Sequence, residues 1–92
     1  MIFEWDEAKR RINLEKHGVD FLDASKMWSG IMLVAEDARR EYGESRYVGM
    51  GRIEGRVMVV VYTHRSLDVV RIISLRKANS RETRSYENAT NE

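Results

Sequence analysis

Apolar and polar positions follow a helical spacing in the first third of this 92-residue chain and a strand-like spacing in the second half. A short apolar stretch, Ile2 to Trp5, predicts a first strand. Asp6 is an N-cap candidate with Glu7 favourable in the first turn, so "DEAKRRINLEKH" reads as a helix. Its apolar stripe is thin, mainly Ala8 and Ile12, and Gly18 stands where a left-handed residue closes such a helix. Asp20 opens a second helix in which Phe21, Ala24, Met27 and Trp28 recur at i, i+3, i+6 and i+7. Gly30 ends it, Ile31 to Ala35 is short and apolar enough for a strand, and "EDARREYGES" is a charged connection.

Beyond Arg46 the period changes to two. Tyr47 to Ile53 and Arg56 to His64 are joined by Glu54-Gly55, a two-residue hairpin turn. A further strand, Val69 to Leu75, follows "RSLD". Asn79 with Glu82 three residues on forms a capping box for a last helix running to about Asn88. The predicted fold is therefore α+β: an antiparallel meander sheet with two N-terminal helices and a C-terminal helix, in one domain over residues 1–92.

The two-residue turn sets the hairpin register, with Tyr47 facing Tyr62, Val48 facing Val61 and Met50 facing Val59. A five-residue loop after His64 places Arg71 opposite Val61. One face then holds Val48, Met50, Val57, Val59, Val61, Val69, Ile73 and Leu75 with Arg71 among them, and it is expected to lie under Phe21 and Trp28. The other face holds Tyr47, Gly49, Gly51, Tyr62, His64 and Arg76. Two readings of that second face stand. It is a groove in which tyrosines stack on unpaired bases, or Tyr47 and Tyr62 form a cross-strand pair and the glycines admit a helix. A one-residue change in the loop moves Arg71 to the groove side.

Charge sharpens this picture. Residues 1–45 carry seven Lys/Arg against ten Asp/Glu, a net of −3, and residues 46–92 carry nine against five, a net of +4. Arginine outnumbers lysine twelve to four, and its planar fork matches phosphate oxygens, so the second half points to a polyanion. The absence of cysteine excludes disulfides and thiolate metal sites and suits a cytoplasmic protein. No apolar run approaches the roughly 18 residues of a membrane span, and the N-terminus lacks the charge order of a signal peptide.

"GMGRIEG" lies in a hairpin and opens no helix, so it is not a dinucleotide loop, and His17 and His64 have no acid at metal-ligand helical spacing. No nucleophile elbow is present. Metal-free cleavage of RNA remains, because the 2′-hydroxyl of the substrate is itself the nucleophile. The protein then supplies position, positive charge and proton transfer. Arg65, Arg71 and Arg76 are candidates for charge, His17, His64 and Tyr86 for protons, and Glu82 for orienting an arginine. Each has a structural alternative: His17 complements a helix C-terminus, and Tyr86 anchors a polar helix in the core.

Two blocks of sequence resemble one family. "FEWDEAKRRINLEKHGVDF" with Ala24 is similar to the opening of the BrnT family of bacterial toxins, and "GRVMVVVYTHR", "RIISLRKA", Glu82 and Tyr86 to its close. The resemblance covers residue 3 to about 87. It implies a RelE-like fold and a ribonuclease toxin of a type II toxin–antitoxin pair. It also implies a BrnA-type antitoxin partner, commonly in a heterotetramer that binds operator DNA through the antitoxin. Lys16, His17 and Gly18 match the family's "KHG", and Arg71, Ser74, Arg76 and Ala78 match its "R-x-x-S-x-R-x-A". Leu22 and Asp23 stand where the family often has two acids.

The expectation is a cytoplasmic, metal-independent endoribonuclease that needs no cofactor and arrests growth. Arg65, Arg71, Arg76, His17 and Tyr86 are its catalytic candidates, and Lys16, Tyr47, Tyr62, His64 and Lys77 its RNA-binding candidates. The rival reading is a non-catalytic module that binds RNA or protein.

Overall fold

The computed structural model describes residues 1–91. A five-stranded sheet is built from β1 (Ile2–Glu4), β2 (Leu33–Glu36), β3 (Tyr47–Ile53), β4 (Arg56–Ser66) and β5 (Val69–Lys77), in the order β1-β5-β4-β3-β2. Helix α1 (Glu7–His17), a 3₁₀ helix (Phe21–Ser29) and helix α2 (Ser80–Thr90) complete the chain. The order of elements is the expected one, and β2 to β5 form an antiparallel meander. The sheet as a whole is mixed, however, because β1 pairs in parallel with β5 through Ile2↔Val69 to Glu4↔Arg71. A three-residue apolar strand carries no sign of its partner's direction.

The second helix also differs in kind. Its buried residues are Phe21, Ala24 and Met27, an interval of three throughout. That is the repeat of a 3₁₀ helix, whose side chains at i and i+3 eclipse, rather than the 3.6 of an α-helix. Asp20 caps its start by accepting the Leu22 backbone N–H at 3.0 Å. Arg10 of α1 grips the same carboxylate through Nε at 2.7 Å and Nη2 at 2.9 Å.

The 3₁₀ helix covers the face of Gly49, Gly51, Met58, Val60, Tyr62, Val70, Ile72 and Leu75, not the face assigned to it from sequence. A Cβ on Gly51 would meet Met32 Cγ at 3.2 Å and Met27 Cβ at 3.5 Å, so the glycines admit this layer. Rings continue it: Phe3 to Trp28 at 5.1 Å, Trp28 to Tyr62 at 5.0 Å and Tyr62 to Tyr47 at 5.6 Å. Each buried Phe, Leu or Val here contributes about 1.5–3 kcal/mol. Tyr47 and Tyr62 are the cross-strand pair, and the groove reading of this face fails because Tyr62 is only 4% exposed.

The opposite face carries a smaller core of Val57, Val59, Ala78 and Tyr86 beneath α2, flanked by Leu33, Val48 and Met50. Asn79 and Glu82 form the expected capping box. Helix α1 docks against expectation: Ile12 is 63% exposed, and the buried residue is Asn13. Its side chain donates to Leu75 O at 2.7 Å and accepts from Leu75 N at 3.2 Å. Where β1 leaves the β5 edge, one amide thus takes the place of a neighbouring strand.

Candidate active site

The site grows from an irregularity in β5. Val59 pairs with Arg76, Val61 with Ser74, Tyr62 with Ile72 and Thr63 with Arg71. The step between Val61 and Tyr62 leaves Ile73 as an extra residue, a β-bulge. Arg71 and Arg76 are five apart, so a regular strand points them to opposite faces. With the bulge, Arg71, Ser74 and Arg76 oppose Thr63, Val61 and Val59 and share the face on which α2 lies. A second bulge at Arg65, between His64 and Ser66, extends β4 further than expected and replaces the five-residue loop. Arg71 therefore opposes Thr63 rather than Val61.

Arg76 is held by α2. Its Nη1 donates to Glu82 Oε1 at 2.8 Å and its Nη2 to Glu82 Oε2 at 2.9 Å, while Nη1 also approaches Lys77 O at 3.4 Å. Glu82 is fixed in turn by the Asn79 backbone N–H at 2.9 Å. The Arg76 guanidinium, and after it that N–H, hold the Glu82 carboxyl down at about 2. The carboxylate occupies the end of the guanidinium. Its lateral edge, Nε–H with the second Nη2–H, makes no hydrogen bond among the described residues and matches two oxygens of a phosphate. Arg71 is ion-paired with Glu4 across the parallel strand pair at 2.7 Å.

Beside Arg76 lies an open trough of about 470 Å³, with Val48, Val59, Val61 and Ser74 as its floor and Asp37, Ala38 and Arg39 on its far wall. Ser74 also belongs to a second hollow of about 200 Å³, lined by Lys9, Ile12, Asn13, Lys16, His17 and Ile73. Ser74 is shared by the two hollows, so the last turn of α1 lies beyond Ser74 from the trough. Lys16, His17, Ser74 and Arg76 are far apart in sequence, and the Asn13 contact to Leu75 brings them round one stretch of β5.

Other candidates lie elsewhere. Tyr86 is 1% exposed and its hydroxyl donates to Ile31 O at 2.7 Å, which anchors α2 in the core. Tyr62 lies under Trp28, and burial pushes its phenol up. Tyr47, half-buried, and His64, exposed, lie beside it on the same side of the sheet, with His64 edge-on at 5.7 Å from each tyrosine ring. Arg65 is exposed at the far end of β4. Lys77 opposes Met58 and lines a hollow with Leu14, Gly18 and Val19. Asn13, Asp37 and Arg39 escaped sequence reasoning. A polar residue amid helix charges and arginines in a charged loop have no local signature. Among the described residues no three His, Cys, Asp or Glu side chains gather as a metal site, and no helix is long and apolar enough to cross a membrane.

Fold and site together define a small mixed α+β domain with a trough bordered by Arg39 and Arg76 on one face of its sheet. Residues 5–82 match the family described as "Ribonuclease toxin, BrnT, of type II toxin-antitoxin system", and the chain belongs to that family. The crystal structure of the Brucella abortus ribonuclease toxin BrnT is similar, with a TM-score of 0.65 at 25% identity over 87% of this chain and 100% of that one. No curated protein matches by sequence.

Proposed function

We propose that the protein is a metal-independent endoribonuclease toxin acting at the trough beside Arg76. The observation that carries this is the free lateral edge of Arg76, a residue fixed by Glu82 at the border of a hollow that Ser74 links to Lys16 and His17. The 2′-oxygen of the substrate attacks the adjoining phosphorus, the bond from phosphorus to the 5′-oxygen breaks, and a 2′,3′-cyclic phosphate and a 5′-hydroxyl result. Arg76 takes the developing charge on the non-bridging oxygens, with Arg71 adding charge on the same face. His17 exchanges the protons, and Lys16 and the Ser74 hydroxyl hold the strand. The fold and chemistry are those of a RelE-like toxin. Its antitoxin is BrnA-type, in a heterotetramer that reaches operator DNA through the antitoxin, and it acts in the cytoplasm.

Purified protein incubated with RNA in EDTA tests the reading. Wild type degrades the RNA, and Arg76→Ala, with an unaltered melting curve, does not. RNA that is bound yet stays intact with wild type would instead establish the non-catalytic module.

A further inference from the structure

The far wall of the trough is the connection between β2 and β3. Asp37 lies there with a side chain 2% exposed, and a buried carboxylate is costly unless its oxygens are matched. Its oxygens are matched by Arg39 Nε at 2.8 Å, Arg39 Nη2 at 2.9 Å and Tyr42 OH at 3.2 Å, with the Arg39 backbone N–H at 3.3 Å. Arg39 holds the Asp37 carboxyl well below the usual carboxylate range, so the clasp persists at any working pH. The Asp37 N–H donates to Arg46 O at 2.7 Å, and the Tyr42 ring lies 4.1 Å from the Arg46 guanidinium and 5.3 Å from that of Arg40. A connection that merely turned the chain would need none of this.

The clasp is the mirror of the one across the trough. Glu82 takes the end of Arg76 and leaves its lateral edge, whereas Asp37 takes the lateral edge of Arg39 and leaves its Nη1 end in a side chain 76% exposed. Both guanidiniums border one cavity over the apolar floor of Val48, Val59 and Val61. We propose that Arg39 binds the RNA backbone phosphate adjoining the one at Arg76, so that the Asp37–Arg39 clasp sets the register of a single strand in the trough. This rests on the RNA-cleaving reading. The loop from 37 to 46 carries three arginines and three acids, so its contribution is contact geometry rather than long-range attraction. Prefixed guanidiniums also lose little freedom on binding.

The test uses full-length protein and a 2′-O-methyl copy of an RNA that wild type cuts, which binds but supplies no nucleophile. Arg39→Ala is expected to raise Kd roughly tenfold and to lower the slope of log K against log salt by about 0.7, one single-strand phosphate contact. With unmethylated RNA its KM rises more than its kcat falls. Arg40→Ala, which removes the same charge nearby, has less than a third of that effect on Kd. Asp37→Asn acts as a positioning change, weakening binding in the wild-type background and adding nothing to Arg39→Ala. Melting curves confirm that each variant is folded. Unchanged Kd and salt slope in folded Arg39→Ala, or an equal loss in Arg40→Ala, overturns the proposal while wild-type cleavage stands. Failure of wild type to cut any RNA sinks the parent reading instead, and the salt slope on a single-stranded RNA that wild type binds then judges the Arg39 contact by itself.

Discussion

On one face of the sheet Met58, Val60, Tyr62, Val70, Ile72 and Leu75 disappear beneath a 3₁₀ helix and a chain of aromatic rings. On the other, α2 closes over Val57 and Tyr86 and stops short, so Val48, Val61, Ser74 and Arg76 border an open trough. In β4 both faces are apolar, but β5 gives Val70, Ile72 and Leu75 to the covered face and Arg71, Ser74 and Arg76 to the other. The cover follows that division, and with it the fate of each polar group. On the covered side polar atoms are absorbed, as the Asn13 amide is by Leu75. On the open side Arg39 and Arg76 are each held along one edge of the guanidinium by one carboxylate.

The comparison can be broken most forcefully on the covered face. Phe21→Ala removes a fully buried ring and is expected to cost about 3–5 kcal/mol in urea unfolding. A much smaller loss means that the 3₁₀ helix is not the main seal. Next, Arg76→Ala should lower the cleavage rate roughly 10²–10³-fold. Because the pair is partly exposed, it should shift stability by less than about 1 kcal/mol. A variant that melts early would move Arg76 from function to scaffold. Asn13→Ala strands the Leu75 N–H and C=O at the sheet edge, and about 2–3 kcal/mol is expected from denaturant titration.

Tyr86→Phe removes one hydrogen bond to Ile31 O and should cost about 1–2 kcal/mol without slowing RNA cleavage. Loss of cleavage on the scale of the Arg76 variant would return Tyr86 to the site. The smallest effect is in pH. Glu82 has its folded pKa lowered from 4.5 to about 2, so its contribution is present above 4.5 and fades as pH falls toward 2. Wild type should therefore exceed Glu82→Gln in melting temperature near pH 6, with the gap shrinking below pH 4.5 and closing as pH falls through about 2. A gap that is constant with pH assigns the stabilisation to the cap alone.

Much of this architecture was legible in the residues. The β3–β4 register follows from Glu54-Gly55, whose φ values of 50° and 83° are those of a tight hairpin turn. The capping box at Asn79 and Glu82 and the left-handed Gly18 are local devices and read as such. The choice of face was not legible, because "VMVVVY" is apolar at odd and even positions alike and periodicity cannot say which set meets the 3₁₀ helix. Nor were the bulges at Arg65 and Ile73, which arise from how β5 meets its neighbours. Of the candidate site, Glu82 as an acid that orients an arginine was foreseen, but not that the arginine is Arg76. For Tyr86 the structure shows the burial that the core-anchor reading expected, and the Asp37–Arg39 clasp looked like any charged connection.

The Ile73 bulge also changes how the motif can be read backwards. Arg71, Ser74 and Arg76 stand at intervals of three and two, and no straight strand turns all three the same way. Three side chains at that spacing on one face require an interruption of the strand. In a relative with intervals of two and two the interruption would be redundant, and an aligner scoring that missing residue as a trivial gap would conceal that the two chains reach one surface by different backbones. Length between the arginines, more than their identity, is the heritable record of which way they point.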